Sequence, residues 1–311
     1  MMRAAPLTPG DKPQWAELLA VSFNRTPDDM LRLLDWLHQG HTVIGWGAWD
    51  GDTLAAQYNC AMMHITQPDG VTVPVGMSIN MAVDPAYRGR GLIKQVSQPV
   101  YEAVAACGGV SGIGFSNKQG VKVDLKSKSY GYQVVGQMQS LVVWLRPQRQ
   151  AAITLTDAWP RSPFAQAASA NSLLSRFATT PETLAHRFAD HPFRRYQFGV
   201  WEDGGMVQGV VVYRKVRLAG VKGVSLLAAY GAQCSELLAR WSAAIQREGM
   251  RFLHVLSTPQ GRVRSELHTL GYVATMPYSR SPYYLTVKPF ANTPKAFLDF
   301  KAWDCLGGDI L

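Results

Sequence analysis

The first half of the chain opens with helical spacing of its apolar residues and then changes to extended stretches. Two short helical stretches come first, and the extended stretches after them are separated by turns rich in Asp, Gly and Pro. The helical stretches are 15–23 and 28–38, and the extended ones are 41–49, 54–65 and 75–83. The order predicts antiparallel strands that feed one central strand, 75–83.

Helices and strands alternate after this central strand. Apolar residues recur at steps of three and four over residues 91–107, which predicts an amphipathic helix that Pro99 kinks or shortens. A short buried strand over 110–115, a second helix to about residue 129 and further β structure over 132–145 follow. The pattern therefore predicts a mixed α/β domain.

The second half repeats this plan. Residues 146–164 are rich in Pro, Gln and polar residues, and the domain boundary is expected there. A capped helix is predicted near Thr180-Pro181-Glu182. Predicted strands follow at 196–201, 207–214, 224–229 and 251–257, with helices on either side of the last one. The predicted domains are residues 1–150 and 151–311.

Length and glycine spacing both fit two domains. The 311 residues exceed one ordinary domain of about 100 to 200 residues. Gly91 and Gly131 are 40 residues apart, and so are Gly231 and Gly271. This repeated spacing favours an internal duplication.

Composition narrows the classes of partner. The formal net charge of +9 favours anions such as a phosphorylated cofactor, a nucleotide-linked substrate or RNA, although a solvated basic surface has the same composition. The four cysteines lie far apart, so neither a zinc site nor a disulfide framework is expected. No apolar run reaches secretory or membrane-spanning length, so a cytoplasmic protein without a membrane partner is expected.

One basic, glycine-rich stretch lies between a predicted strand end and the start of the amphipathic helix. It reads Val83-Asp84-Pro85-Ala86-Tyr87-Arg88-Gly89-Arg90-Gly91-Leu92-Ile93. A helix N-terminus presents free backbone N–H groups and the positive end of the helix dipole, which together favour a pyrophosphate. Gly89 and Gly91 let the backbone approach an anion, and Arg88 and Arg90 add charge. A basic surface turn is the alternative interpretation.

This stretch resembles the acyl-CoA signature of the GNAT superfamily, Arg/Gln-x-x-Gly-x-Gly/Ala after a strand that ends Val-x-Pro-x-Tyr. Val83, Pro85, Tyr87, Arg88 and Gly91 fall on the signature. One position departs from it, because Ile93 stands where the signature has Gly or Ala. Packing beside the pyrophosphate is therefore expected to differ, as in subgroups that act on nucleotide-linked amino sugars.

The resemblance implies an α/β fold, with an α+β mixed sheet, in two tandem GNAT-like domains. Each domain is expected to hold a central, mostly antiparallel sheet flanked by helices. Gly114-Phe115-Ser116-Asn117 resembles the superfamily's second cofactor segment, where a strand separates from its neighbour. The implied contacts to acetyl-CoA or another acyl-CoA are Met81, Ala82, Val83, Arg88, Gly89, Arg90, Gly91, Leu92, Ile93, Ser116 and Asn117.

The second half lacks an equivalent basic loop. The corresponding residues read Ala228-Ala229-Tyr230-Gly231-Ala232-Gln233, with no Lys or Arg. The first domain is therefore expected to bind acyl-CoA, and the second to be a degenerate domain that shapes the acceptor site.

The resemblance implies direct attack of an amine on the thioester, without a covalent enzyme intermediate. A backbone N–H near Val83 is expected to stabilise the oxyanion. Candidates for the general base are Asp84, His64, or a water held by Asn80 or Tyr58. The position of the superfamily's usual acid is Ser127, so Tyr130 or a water is expected to replace it.

Three functions stay open at this point. The favoured one is an N-acyltransferase, in particular an N-acetyltransferase, that acts on a small-molecule amine such as a nucleotide-linked amino sugar. A GNAT-like peptidyltransferase that uses aminoacyl-tRNA fits the basic charge, but such enzymes generally lack an intact Arg-x-x-Gly loop, so nucleic acid is the less favoured partner. A non-catalytic acyl-CoA-binding module is the third, because the usual base and acid are missing.

Overall fold

The computed structural model describes residues 2–126, 131–146, 152–165, 173–272, 274–277 and 282–310, with the backbone alone for 123–126 and 274–277. The chain forms two compact units. The first unit comprises Met1–Ile65, Thr72–Gly136 and Tyr283–Leu298. The second comprises Thr66–Val71, Gln137–Pro282 and Asp299–Leu311.

The first unit contains four α-helices and seven strands among its described residues. Its helices are α1 (Lys12–Phe23), α2 (Pro27–Gly40), α3 (Leu92–Ala106) and α4 (Lys118–Lys126). Its strands, numbered in chain order, are β1 (Arg3–Pro6), β2 (Val43–Asp50), β3 (Thr53–Thr66), β4 (Thr72–Val83), β5 (Ser111–Asn117), β6 (Gln133–Gln137) and β15 (Tyr283–Pro289). They form a sheet in the order β1-β2-β3-β4-β5-β15-β6.

Helix α3 covers one face of this sheet. Buried aliphatic residues of α3, among them Val96 and Val100, pack with Tyr58 and Cys60 of β3 in one core cluster. The helix continues past Pro99 to Ala106, so the proline does not end it. Packing on both sides of Pro99 offsets the hydrogen bond that a proline within a helix removes.

The second unit has its own sheet of seven strands. The strands are β7 (Gln139–Trp144), β8 (Thr154–Thr156), β10 (Gln197–Asp203), β11 (Met206–Leu218), β12 (Val221–Gly231), β13 (Phe252–Ser257) and β14 (Ala274–Pro277), in the order β14-β7-β13-β12-β11-β10-β8. A two-residue strand, β9, covers Arg176–Phe177. The helices are α5 (Pro181–Leu184), which continues as a π-helical turn over Ala185–Ala189, α6 (Cys234–Arg247) and α7 (Arg262–Thr269).

The same strand–helix order recurs in both units. The order β4-α3-β5-α4 of the first unit matches β12-α6-β13-α7 of the second, and in each the two strands pair in parallel. The other strand pairs described are antiparallel, such as β10 with β11 and β15 with β5. The predicted mixed α/β fold with one sheet in each of two units is therefore confirmed.

The units do not divide the chain at residue 150. The β structure predicted over 132–145 is two strands in two sheets: β6 ends at Gln137 and β7 begins at Gln139. Strand β15, from the end of the chain, lies beside β5 in the first sheet, with Tyr283 opposite Asn117. An antiparallel neighbour can come from any distance along the chain, and alternation within a strand does not say which sheet receives it.

No helix within the described ranges is long and apolar enough to cross a bilayer. The same ranges contain no group of His, Cys, Asp and Glu side chains arranged to hold a metal ion.

Candidate functional site

The two parallel strands of the first unit separate after Met77 of β4 and Ile113 of β5. β4 and β5 pair only at Gly76 with Gly112 and at Met77 with Ile113 within the described part of the chain. β4 continues to Val83 and β5 continues to Asn117. The gap between the two strand ends is what the resemblance implied for the second cofactor segment.

A loop at the end of β4 leads into α3 with an open backbone. Gly91 is the residue before the helix, has a φ of 72° and is followed by Leu92. No side chain caps this helix start. Gly89 has a φ of 80°, and nothing lies within 4 Å of the position that a Cβ would take at either glycine. The first turn of α3 therefore presents backbone N–H groups beside open space, which suits an anion.

A cavity of about 400 Å³ lies against this loop. Its walls come from the end of β4, from the loop and from the end of α1. The lining residues are Ser22, Phe23, Met81, Ala82, Val83, Tyr87, Arg88, Gly89, Arg90, Gly91, Leu92 and Ile93. Nine of the eleven contacts expected from the sequence thus line one cavity. Ser22 and Phe23 were not expected, because nothing in their local pattern separates them from the rest of the helix.

Two exposed arginines, Arg88 and Arg90, line this cavity. The Nε of Arg88 donates to the Val83 carbonyl oxygen over 3.4 Å. The Nη2 of Arg90 donates to the Ala86 carbonyl oxygen over 3.2 Å, and its guanidinium lies 4.9 Å from the Tyr87 ring centroid. Tyr87 in turn donates its hydroxyl to Asp50, and this bond raises the pKa of the phenol. These contacts hold two cations at the start of α3.

Ile93, the residue that departs from the signature, lines the cavity but is mostly buried in the core. Its side chain is only 8% exposed and packs with Leu92 and Val96 in the cluster beneath α3. Its extra bulk is therefore accommodated within the core, and the loop glycines keep open space around them.

Asn80 gives β4 a local irregularity beside the gap. Its φ is 50°, in the left-handed region that non-glycine residues seldom adopt. Its carbonyl oxygen accepts a hydrogen bond from the Gln57 side chain. Gln57 Oε1 in turn accepts from Asn59 Nδ2 over 2.6 Å, and both amides are fully buried. The pair was not predicted, although two amides inside the apolar strand 54–65 are a visible signal.

A tyrosine cluster lies on the opposite face of β3. The hydroxyl of Tyr58 donates to Ser78 over 2.6 Å and shares a short hydrogen bond with the hydroxyl of Tyr101. Tyr101 also donates to Tyr132 over 2.7 Å. Burial raises the pKa of all three phenols, so they are neutral donors at physiological pH. Tyr58 was one candidate to hold a water, but its hydroxyl proton is already donated to Ser78.

The candidate bases Asp84 and His64 do not lie together. Asp84 stands at the end of β4 and accepts the Ala86 N–H over 2.8 Å, which caps the turn before the loop. His64 is exposed near the other end of β3. The strand runs for about 20 Å between His64 and Gln57, the residue that contacts Asn80. Asp84 and Asn80 thus lie near the cavity, whereas His64 does not.

The second cofactor segment ends β5. Asn117 Oδ1 accepts the N–H groups of Gln119 and Gly120, at 3.0 Å and 2.9 Å, and so caps α4. Ser116 precedes it and lies opposite Tyr284 of β15. Ser127 and Tyr130, the two candidates for the acid, lie outside the described residues.

The equivalent junction of the second unit is closed by an arginine. The residue before α6 is Gln233, and the preceding Gly231 and Ala232 carbonyl oxygens accept from Arg262 Nη2 at 3.4 Å and 3.1 Å. Backbone of β11 lies next to Gly231, where a Cβ would be 2.9 Å from the Gly209 Cα. This junction is held together by protein atoms.

The chain also fills the gap between β12 and β13. These strands pair from Gly223 with Phe252 to Leu226 with Val255. Immediately beyond, Gly308 packs so closely against Leu227 that a Cβ would collide with its carbonyl oxygen, and Gly307 packs against Leu256 of the other strand. We call residues 303–309, which contain both glycines, the C-terminal insert.

Further contacts fix the C-terminal insert in the second unit. The Thr258 hydroxyl donates to the Trp303 carbonyl oxygen over 2.6 Å, and the Thr258 N–H donates to Cys305. Asp309 accepts the Leu306 N–H over 2.7 Å. Burial raises the pKa of Asp309 to about 6, while the charge of Arg187 opposes this shift. The second gap is therefore occupied by the chain itself.

Comparisons with known proteins agree with this geometry. Residues 3–116 match the model of the acetyltransferase (GNAT) domain. A comparison with curated protein sequences finds no match. Several solved structures share the fold over most of the chain.

A probable N-acyltransferase from Enterococcus faecalis V583 superposes with a TM-score of 0.65 at 13% identity, over 92% of this chain and 72% of its own. A GCN5-related N-acetyltransferase from Kribbella flavida gives 0.65 at 16% identity, over 92% and 70%. A tandem GNAT protein from the clavulanic acid biosynthesis pathway gives 0.53 at 14% identity, over 93% and 98%. At these identities the likeness shows the fold.

Proposed function

We propose that the chain is an acyl-CoA-dependent N-acyltransferase, because residues 3–116 match the model of the GNAT acetyltransferase domain and the chain shares the fold of a tandem GNAT protein. The observation that carries the proposal is the junction between β4 and α3. It combines an uncapped helix start, open space at Gly89 and Gly91, and two exposed arginines beside one cavity. A coenzyme A pyrophosphate needs this combination of N–H donors and cations.

Each part of the site has a distinct role in this proposal. The N–H groups at the start of α3, with Arg88 and Arg90, bind the pyrophosphate. Among the residues that the structure describes, β4 pairs with β5 only up to Met77, so the backbone groups of Met81 to Val83 are available to the pantetheine amides and to the thioester oxygen. An acyl thioester, when bound, supplies an activated carbonyl for direct attack by an amine.

The proton of the amine needs an acceptor near Asn80 and Val83. Asp84 follows Val83, and its Oδ1 caps the turn, while its Oδ2 has no hydrogen-bond partner among the described side chains. We assign the base to Asp84, acting directly or through a water held by Asn80. Asn117 lies at the end of β5, on the other side of the same gap. Its side chain is held by the N–H groups at the start of α4.

A small-molecule amine remains the proposed acceptor, and a nucleotide-linked amino sugar is one member of that class. The basic loop supports only the acyl-CoA part of the reaction. The role of the second unit in shaping the acceptor site is likewise a proposal.

A non-catalytic acyl-CoA-binding module is a second candidate. The observation in its favour is that Asp84 already serves as the cap of a turn, as isolated Asp residues before Pro commonly do. Such a module would bind acyl-CoA through the same loop and release no free thiol in the presence of any amine.

Binding and turnover are tested in sequence on the full chain. Thermal unfolding is followed with acetyl-CoA, longer acyl-CoAs and free CoA, since a ligand at about 100 times its Kd adds roughly 2.7 kcal/mol. The shift should shrink in Arg88→Ala and persist in Arg3→Ala, an exposed arginine of β1 that does not line the cavity. The absence of a shift with every CoA species would refute the proposal.

Release of free CoA thiol is then measured with a panel of amines, including amino sugars and their nucleotide conjugates. Thiol release that depends on the amine and is lost in Asp84→Asn supports the transferase. A thermal shift without thiol release across the panel supports the binding module instead.

A further inference from the structure

The second unit contains a cavity that is separate from its closed junction. Its volume is about 640 Å³, within the range of small-molecule sites. The walls come from the segment before β9, from the start of α5 and from the end of β12. The lining residues are Trp159, Pro160, Ser162, Pro163, Phe164, Ala165, Pro181, Glu182, Ala185 and Tyr230.

Three aromatic rings line this cavity and contact one another in turn. The ring centroids of Trp159 and Phe164 are 5.7 Å apart and nearly parallel. Phe164 meets Tyr230 edge to face at 5.9 Å. Trp159 rests on Phe198 of the buried core at 5.3 Å, which fixes its ring. All three rings that line the cavity remain partly exposed.

The backbone that carries these rings is anchored. The N–H of Ala165 donates to the Val207 carbonyl oxygen, and the N–H of Val207 donates to the Pro163 carbonyl oxygen, both over 2.9 Å. On the other wall, the Thr180 side chain accepts the Thr183 N–H and so fixes the turn that carries Glu182. The backbone that carries the three rings and Glu182 is therefore fixed without a ligand.

The charge of the cavity is opposite to that of the protein. The chain has a net charge of +9, yet Glu182 is the one charged residue among the described residues that line this cavity. Arg161 lies between two lining residues but does not line the cavity itself. None of the ion pairs described for the chain involves Glu182.

Two titration effects agree with an ionised carboxylate beside a neutral phenol. Hydrogen bonds from the Thr180 side chain and from its own backbone N–H lower the pKa of Glu182. Desolvation, together with the charge of Glu182, raises the pKa of Tyr230. Glu182 thus acts electrostatically on one of the three rings.

We infer that this cavity binds an organic cation with an alkylated ammonium group, held against the rings of Trp159, Phe164 and Tyr230 and neutralised by Glu182. Ring faces attract cations through their quadrupole, most strongly for Trp, and alkyl groups on nitrogen add apolar contact and weaken hydration. A carboxylate at the edge supplies the opposite charge. This site is independent of the proposed acyl-CoA site, since none of its residues belongs to the first unit.

The test compares two ligands of one shape. Choline and its uncharged carbon isostere, in which a tert-butyl group replaces the trimethylammonium group, are titrated into the full chain by isothermal calorimetry. We expect choline to bind at least about tenfold more tightly than the isostere, because only the cation gains from the rings and the carboxylate. Equal affinities would mean a merely apolar cavity and would overturn the inference, as would no saturable binding of choline.

Variants locate the binding site. Glu182→Gln should weaken choline about three- to tenfold and leave the isostere unchanged, since it removes charge and keeps shape. Glu202→Gln, an exposed residue of β10 outside the cavity, is the matched control and should change neither. Tyr230→Leu removes one ring and should lower the affinity for choline more than it lowers the affinity for the isostere. Unchanged choline binding in both Glu182→Gln and Tyr230→Leu would place the cation elsewhere and overturn the assignment.

Discussion

The junctions β4–α3 and β12–α6 occupy the same position in two repeated strand–helix–strand units, but different groups satisfy their polar atoms. In the first, Gly91 begins an uncapped helix beside open space, and Arg88 and Arg90 lie exposed next to it. In the second, Arg262 binds the junction's own carbonyl oxygens. The same topology therefore has an open helix start beside two arginines in one unit, and a junction held by protein hydrogen bonds in the other.

The gaps beside the two junctions differ in the same way. β4 and β5 separate after Met77, and β12 and β13 separate after Leu226. The C-terminal insert touches both strands of the second pair through Gly307 and Gly308. The second unit thus keeps the strand order of the first, while its gap is filled by protein atoms.

The largest expected effect comes from removing both arginines of the first junction. Arg88→Ala with Arg90→Ala should lower acyl-CoA affinity about a hundredfold or more, because hydrogen bonds to charged groups are the strong ones. The free energy of unfolding should change little, since both side chains are exposed. Calorimetric titration at two salt concentrations measures the loss, which should be smaller at high salt. An unchanged affinity would remove the distinction between the two junctions.

The next effect concerns the filled gap of the second unit. Gly308→Ala should lower the free energy of unfolding by about 1 to 3 kcal/mol, because the new methyl group collides with the Leu227 carbonyl oxygen. Gly307→Ala is the matched control, since its Cβ would lie 3.3 Å from the Leu256 Cβ and needs only a small shift. Denaturant titration measures both. Equal, small losses would mean that the C-terminal insert does not fill the gap tightly.

The smallest effect is that of the arginine at the second junction. Arg262→Ala should cost about 1 kcal/mol of unfolding free energy, since two backbone carbonyls lose a donor. Acyl-CoA affinity should stay at the wild-type value. A loss of affinity comparable to that in Arg88→Ala would contradict a purely structural role for this arginine.

The first junction could be predicted from the sequence because its parts are contiguous. Strand end, loop and helix start lie within residues 83–93, so local turn chemistry and helical spacing were enough to locate them. The consequence of Ile93 was less accessible. Whether a larger residue crowds the loop depends on how its side chain packs, and here most of the Ile93 side chain is buried in the core beneath α3.

The filled gap could not be predicted because its parts are distant in sequence. The C-terminal insert meets Leu227 and Leu256 after separations of many residues, and no local pattern identifies Gly307 and Gly308 as partners of those strands. The pairing of β15 with β5 could not be predicted either, because the two strands are far apart in sequence. The domain boundary predicted at residue 150 rested on local composition, whereas the two units are defined by which strands pair.

The positions of the catalytic candidates could be predicted only in part. Asn80 and Asp84 lie close to the loop in sequence and in space, whereas His64 was proposed only because its strand precedes the central one. Its position along β3 depends on the register of a long hairpin, which residue types alone did not specify. The buried pair Gln57 and Asn59, which holds the Asn80 carbonyl, also depends on that register.

The most direct test places one negative charge at the same position of each junction. Gly91→Glu and Gln233→Glu each put a carboxylate on the residue before a helix, α3 or α6. Acetyl-CoA binding is measured by calorimetry on both variants after their folding has been checked by thermal unfolding. The account predicts that Gly91→Glu loses at least about a hundredfold in affinity through repulsion of the pyrophosphate, while Gln233→Glu binds like the wild type. Wild-type affinity in Gly91→Glu, or a loss confined to Gln233→Glu, would contradict it.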